Sequence, residues 1–214
     1  MKVLFLLLGV AVVLLLVVGV FGVSIYNRLV TLRERYKNGF AQIDVQLKRR
    51  YDLIPNLVEA VKGYMTHERD TLERVIAARN QAAAANERAA ANPGDAAAVR
   101  QLAANEGELT ALLGRLMAIR EDYPDLKADT QTSRLMEELT TTENRVAFAR
   151  QHYNDSVMAY NAARQSFPAV VLAGPLGFGD AALFEINDAR EREAVRVDLG
   201  ERPTPPTSTS ATTA

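Results

Sequence analysis

The segment IDVQLKRRYDLIPNLVEAVKGYMTHE, residues 43–68, carries most of the information about how this chain folds. Its apolar residues repeat at spacings of three and four on both sides of Pro55, which is the pattern of amphipathic helices. Ile54 precedes the proline and is pushed toward extended backbone geometry, whereas Pro55 suits the first turn of a helix. The segment therefore predicts that one helix ends at Ile54 and that a second helix begins at Pro55.

Helical spacing continues outward from this segment and predicts four long helices in all. The second helix fades into the Ala-rich residues 81–91 and ends at the turn formed by residues 92–95, where Asp95 is suited to be the N-cap of the third helix. A Tyr-Pro pair at 123–124 ends the third helix, and a Phe-Pro pair at 167–168 ends the fourth. Short connections make consecutive helices antiparallel. The predicted fold is therefore all-α: an N-terminal transmembrane helix followed by a long antiparallel four-helix up-down bundle.

The N-terminal end of the chain has the features of a membrane anchor. Residues 3–27 contain no charged side chain, and a helix needs about 20 apolar residues to cross the hydrocarbon core. A cleaved signal peptide, which is the alternative, has an apolar region of only about 7–15 residues. We therefore expect residues 1–25 to form a transmembrane anchor that contacts the bilayer through residues 3–25.

The rest of the chain divides into two parts. Residues 26–186 are expected to form the helical bundle. Residues 187–214 are charged at first and then rich in Pro, Thr and Ser, a composition that cannot form a core, so a disordered tail is predicted there.

Charge indicates which partners and which orientation to expect. The 25 Lys and Arg residues nearly balance the 26 Asp and Glu residues, so nucleic acid is not an expected partner. Only Lys2 precedes the membrane span, whereas four basic residues follow it closely: Arg28, Arg33, Arg35 and Lys37. The positive-inside rule then favours a cytoplasmic over an extracytoplasmic domain. The chain has no Cys, so neither disulfides nor thiol chemistry is available to it.

Long blocks of the sequence closely resemble the LemA family of bacterial membrane-anchored proteins. From Tyr26 to Phe184 they read YNRLVTLRE, IDVQLKRRYDLIPNLVEAVKGYMTHE, LERVIAAR, YPDLKAD, TTENRVAFARQHYNDSVMAYNAARQSFP and LGFGDAALFE. The Ala-rich residues 81–104 depart most from the family's usual pattern. The resemblance implies a single-pass protein of the bacterial plasma membrane with a mostly helical, antiparallel domain. It implies no catalytic residue, and relatives are loosely linked with membrane proteases and envelope quality control.

The basic triplet Lys48-Arg49-Arg50 is a candidate partner-binding site. Together with Asp52 and the loop at Tyr123, it would form a docking patch at the membrane-distal tip of the bundle. The alternative is a solvated helix end, whose cations face the negative end of the helix dipole.

The pairs Tyr153-Asn154 and Tyr160-Asn161 lie seven residues apart and therefore share nearly one helix face. We call these four residues the Tyr-Asn layer. Asn is mildly unfavourable inside a helix, so each Asn is expected to form a hydrogen bond to a neighbouring helix and to fix the register of the helices. A small-ligand site between helices is the alternative.

The apolar segment AVVLAGPLGFGDAALFEI, residues 169–186, follows the proline at 168 and falls outside the helical register. If the fourth helix returns toward the membrane, this segment arrives close to the bilayer surface. It can then lie in the membrane interface, or it can fold back over the open end of the bundle, because small domains avoid exposed apolar patches of this size.

Three functions are compatible with these features. The one we favour is a non-enzymatic scaffold or adaptor of the bacterial cell envelope; its partners would be unidentified envelope proteins, with a membrane protease system as one candidate. The second is an enzymatic or small-ligand-binding domain with a site at the Tyr-Asn layer. The third is an oligomeric membrane-remodelling protein. His67-Glu68 lacks the second His that a zinc motif needs at position 71, and no catalytic, cofactor or metal residue is predicted.

Overall fold

The computed structural model describes residues 2–186, and all of the regular structure in that range is helical. The α-helices are α1 (Lys2–Lys62), α2 (Arg69–Ala91), α3 (Ala96–Arg120), α4 (Pro124–Ala128), α5 (Thr130–Gln165) and α6 (Ala169–Ala173), with a 3₁₀ turn at Thr66–Glu68 before α2. The predicted all-α class is therefore confirmed. The tail predicted for residues 187–214 lies outside the described residues.

Helix α1 does not end at the proline. It continues without interruption through Pro55 to Lys62, so the predicted break at Ile54 is wrong. Proline has no backbone N–H, and inside a helix it leaves the carbonyl four residues earlier without its usual donor. That carbonyl belongs to Tyr51, and it accepts a hydrogen bond from Arg79 Nε of α2 at 2.9 Å. A tertiary contact thus supplies the donor that the local sequence removes.

The connection between the first two long helices lies after residue 62 instead. The backbone N–H groups of Tyr64 and Met65 both donate to the Val61 carbonyl at 3.0 Å. These two hydrogen bonds form the turn that ends α1. Beyond Tyr26, α1 therefore extends about 54 Å, which equals the length of the 36-residue α5. The part of α1 that follows the predicted membrane span is thus as long as α5.

The other helix ends follow the sequence closely. Asp95 caps α3 as predicted, because its carboxylate accepts hydrogen bonds from the N–H groups of Ala97 at 2.8 Å and Ala98 at 3.3 Å. Helix α3 ends at Arg120 and α5 ends at Gln165, each just before a predicted proline stop.

Helices α1 and α5 form the most extensive packing interface of the described residues. Gly39 of α1 faces Tyr153 of α5, and Arg49 of α1 faces Glu138 of α5, so the two helices run in opposite directions. A Cβ atom at Gly39 would lie only 3.2 Å from Tyr153 Cα. The absence of a side chain at Gly39 therefore permits the close approach of these helices at that level.

After α6 the chain turns at Gly177, whose φ of +76° favours glycine, and runs back over the domain as a non-helical segment. We call residues 177–186 the strap. Its side chains Phe178, Ala181 and Phe184 are buried in the core. This part of the C-terminal apolar segment therefore folds back over the helices, as one of the two predicted alternatives required.

The contact between Arg79 and the Tyr51 carbonyl can be measured by a double-mutant cycle. Arg79→Ala should lower the free energy of unfolding by about 1–3 kcal/mol, the cost of an unsatisfied buried carbonyl. In a Pro55→Ala background, residue 55 regains its N–H and bonds to Tyr51, so Arg79→Ala should cost distinctly less. Urea unfolding of the full chain in detergent, followed by circular dichroism, gives all four values. Equal costs in both backgrounds would contradict this account of Pro55.

Candidate functional site: a buried interhelix network and a strap clamp

Two adjacent residues of α1, Arg50 and Tyr51, are bonded through their polar groups to three other long helices. The Arg50 guanidinium is fully buried and lies 2.8 Å from the equally buried Glu106 carboxylate of α3. It also donates to Thr110 of α3 at 2.9 Å and forms an ion pair with Glu143 of α5 at 3.2 Å. Its contacts therefore join α1 to α3 and α5.

Tyr51 completes this arrangement. Its hydroxyl donates to the second oxygen of Glu106 at 2.5 Å, so both carboxylate oxygens are bonded. Its carbonyl binds Arg79, whose guanidinium also lies 5.8 Å from the centre of the Tyr51 ring. We call the set the interhelix network; it comprises Arg50, Tyr51, Arg79, Glu106, Thr110 and Glu143.

Burial controls the ionisation of the network. It raises the pKa of the Glu106 carboxyl above its ordinary value, although the positive charge of Arg50 acts in the opposite direction. It also raises the pKa of the Tyr51 hydroxyl, and the nearby Glu106 adds to that effect. Tyr51 is thus held protonated and serves as a hydrogen-bond donor. Glu106 uses both carboxylate oxygens on Arg50 and Tyr51, and Arg50 also bonds to Thr110 and Glu143. This is the arrangement of a structural network that holds helices in register.

The sequence analysis did not predict the interhelix network, although the helical register of two charged residues indicates it. Arg50 lies in the same helical register as the buried residues Leu47 and Ile54, and Glu106 lies in the register of Leu102 and Leu109. Each charged residue therefore occupies a core position of its helix. Two opposite charges at core positions of different helices indicate a buried pair, because either charge alone is costly to bury.

The basic triplet is divided among three environments. Lys48 pairs with Asp44 of its own helix at 2.8 Å, and Arg49 pairs with Glu138 of α5 at 2.6 Å. Arg50 is wholly inaccessible, so its assignment to an exposed docking patch is wrong. The triplet also does not lie at the tip, because α1 continues about 18 Å beyond Arg50.

The remaining patch residues are only partly available. Asp52 is exposed and lies 3.9 Å from Arg79, whereas Tyr123 is half-buried and packs against the core just before α4.

The Tyr-Asn layer binds the strap. The two Asn side chains each form a pair of hydrogen bonds with one strap residue. Asn161 donates to the Ala181 carbonyl at 2.8 Å and accepts from its N–H at 3.1 Å. Asn154 does the same with Phe184, at 3.3 Å and 2.8 Å. An extended segment leaves both backbone groups unpaired, and a primary amide offers the matching donor and acceptor.

The tyrosines of the layer add two more bonds to the strap. The hydroxyls of Tyr153 and Tyr160 donate to the carbonyls of Ala182 at 2.9 Å and Gly179 at 2.8 Å. The expectation that the Asn side chains bond to a neighbouring helix is therefore wrong: the layer binds the strap backbone. On its other side the strap reaches α3, where a Cβ atom at Gly107 would lie 3.4 Å from the Ile186 side chain.

An open groove of about 800 Å³ lies between the end of α1 and the start of α2. Its lining includes the apolar residues Val58, Met65, Leu72 and Ile76. In the described part of the chain, no group of three or more His, Cys, Asp or Glu side chains could hold a metal ion.

These features define a class: a membrane-associated helical protein whose long N-terminal helix is apolar and exposed over residues 3–20. A family model described as the LemA family matches residues 39–199. The chain belongs to the LemA family.

Individual relatives agree with this assignment. The chain is 27% identical to magnetosome protein MamQ of Magnetospirillum gryphiswaldense over 72% of this chain and 62% of the relative. It is 25% identical to magnetosome protein MamQ 2 of Paramagnetospirillum magneticum, over 81% and 70% of the two chains. It is 23% identical to protein LemA of Metamycoplasma hominis, over 82% and 74%. The match thus spans less than two thirds of the first of these relatives.

Breaking the buried ion pair from one side should be costly. Glu106→Leu leaves the Arg50 charge buried without its nearest partner, and we expect a loss of about 3–5 kcal/mol in the free energy of unfolding. The double variant Arg50→Met/Glu106→Leu removes both charges and should be much less destabilised than Glu106→Leu alone. Chemical unfolding of the full chain in detergent measures both. A double variant as unstable as the single one would contradict the pairing.

Removing the Asn side chains should release the strap while the helices remain. With Asn154→Leu/Asn161→Leu, amide hydrogen exchange at Ala181 and Phe184 should rise about tenfold or more, as expected for a loss of at least about 1.4 kcal/mol. Asn144→Leu, an exposed change on α5, is the control and should leave these two amides protected. Mass spectrometry with hydrogen exchange reports both. Unchanged protection in the double variant would show that apolar burial alone holds the strap.

Proposed function

We propose that this protein is a non-enzymatic, membrane-anchored scaffold or adaptor of the bacterial cell envelope. In this proposal α1, α2, α3 and α5 form an antiparallel up-down bundle that presents its surface to other envelope proteins, with a membrane protease system as one candidate partner. Following the positive-inside rule, we infer a cytoplasmic location for the bundle.

The observation that carries this proposal is the continuity of α1. One helix includes both the exposed apolar residues of the candidate span and the buried residues of the domain, with no linker between them. The interhelix network then ties the same helix to α2, α3 and α5. A rigid connection of this kind holds a binding surface at a set height, about 54 Å along α1 from Tyr26 to its end.

The interior supports a structural rather than a chemical role. Arg50 bonds to Glu106 and Glu143, Tyr51 bonds to Glu106, and the Tyr-Asn layer bonds to the strap. The strap lies where a small ligand would have to bind in the ligand-binding alternative. That alternative therefore has less support than the scaffold.

The partner surface that we propose is the exposed remainder of the docking patch, formed by Lys48, Arg49 and Asp52. These side chains are 60%, 49% and 82% exposed, so a partner can reach them. Lys48 and Arg49 already have acidic neighbours within the chain, and an acidic partner would have to compete with those neighbours. Binding through this patch is therefore expected to weaken as salt concentration rises.

Crosslinking in native membranes tests the proposal. Lys48→Glu/Arg49→Glu should abolish recovery of crosslinked partners. It also replaces two exposed ion pairs, with Asp44 and with Glu138, by like-charge contacts, so we expect the free energy of unfolding to fall by about 1–2 kcal/mol while the domain stays folded. Arg134→Glu/Arg145→Glu makes the same change in net charge at exposed positions of α5 and should leave recovery unchanged. The measurement is quantitative mass spectrometry of proteins that co-purify with the tagged chain. Equal recovery with both variants would eliminate the patch, and the absence of any reproducible partner would contradict the adaptor role.

A further inference from the structure

Apolar side chains remain exposed around α6, although the strap that follows it is buried. Phe167 is 84% exposed and Val171 is 63% exposed, and Val170 and Leu176 are exposed as well. The other face of the same short helix is buried through Ala169 and Ala173. Helix α6 is thus apolar on both sides, with one side packed on the domain and the other side uncovered.

The position of α6 in the fold places this uncovered side beside the membrane span. Helix α6 packs directly against α1. The ring of Phe178, just past α6, lies 5.5 Å from the ring of Tyr26 and under the Arg33 guanidinium. Ile25, the last residue of the predicted span, is partly buried against the domain. The exposed apolar residues therefore lie level with the end of the span.

We propose that α6 docks on the lipid bilayer and forms a second membrane contact besides the span. The uncovered residues Phe167, Val170, Val171 and Leu176 would enter the interfacial region, where apolar side chains leave water for the acyl chains. The inference rests on the membrane anchoring of α1, because only that anchoring holds α6 at this height. Exposed apolar patches of this kind mark surfaces that are covered in use.

This second contact would fix how the domain is oriented on the membrane. A single helix can rotate about its axis and tilt within the bilayer. A contact beside the helix restricts both motions. Phe178, just past α6, packs on Tyr26 of α1, and the hydroxyls of Tyr153 and Tyr160 bond the strap to α5. The bundle, including its outward-facing patch, would then point in one direction relative to the membrane surface.

Depth-dependent quenching tests the proposal in the full chain. Because the sequence has no Cys, one Cys can be introduced at a time, labelled with a fluorophore, and studied in nanodiscs of phosphatidylcholine and phosphatidylglycerol. Val171→Cys reports on α6. Phe148→Cys is the matched control, an exposed apolar residue in α5 about 25 Å before the end of that helix. Val13→Cys, within the predicted span, reports on anchoring itself.

Lipids brominated on their acyl chains should quench the labels at 171 and 13 strongly and should not quench the label at 148. A label on Cys introduced at Leu176 should be quenched in the otherwise unchanged chain. Adding Val170→Asp should remove most of that quenching. Quenching at 13 but not at 171 would overturn the proposal and leave the anchor intact, whereas no quenching at 13 would overturn anchoring as well. Equal quenching at 171 and 148 would also overturn it. If the labels at residue 171 of two protein copies lie close together and are not quenched by lipid, the patch binds a second copy of this chain instead of the bilayer.

Discussion

The fold depends on the polar bonds made by two consecutive residues, Arg50 and Tyr51. Side chains along a helix point in different directions, so adjacent residues reach different neighbours. The Arg50 guanidinium binds α3 and α5, the Tyr51 hydroxyl binds the same carboxylate on α3, and the Tyr51 carbonyl binds α2. A rotation or a one-turn slip of α1 would break all of these bonds together. Apolar packing alone would penalise such a slip less, since one Leu or Ala can substitute for another in a helical interface.

Buried hydrogen bonds also hold the strap on the domain. An extended segment has no bonds of its own, so its backbone groups need partners from elsewhere when it packs on a domain. The Tyr-Asn layer provides six such bonds, and Phe178 and Phe184 supply the apolar burial. The strap thus covers the helices with the chain's own residues. Buried polar bonds fix the register of the helices at one level and the path of the strap at another.

Local signals in the sequence predicted the helix boundaries well and the tertiary bonds poorly. The turn at residues 92–95 and the stop at residues 167–168 depend on proline and on capping residues close in the chain, and both lie where they were expected. Pro55 carries the same local signal, yet α1 passes through it, because its compensating donor is Arg79 on another helix. No reading of residues 43–68 alone contains that donor.

For the candidate sites too, the sequence predicted local patterns but not the tertiary partners of the residues. The basic triplet looked uniform in sequence, but Arg50 differs from its neighbours because its counter-charge lies 56 residues away. The seven-residue repeat of the Tyr-Asn layer correctly predicted a shared face, while its partner, a segment without helical period, gave no signal. What could be foreseen was that the residues of the Tyr-Asn layer share one helix face. What could not be foreseen was which distant segment binds to it.

The central claim is that α1 continues without a break through Pro55 to Lys62, and a distance across the proline tests this most directly. Spin labels on Cys introduced at Val45 and Lys62, both exposed positions, can be measured by pulsed electron–electron double resonance in the full chain in nanodiscs. A continuous helix predicts a single narrow distance distribution centred at about 26 Å. A chain that turns back at Pro55 would bring the two labels onto neighbouring helices, whose axes lie about 8–10 Å apart. A distribution centred near that short spacing would contradict the account.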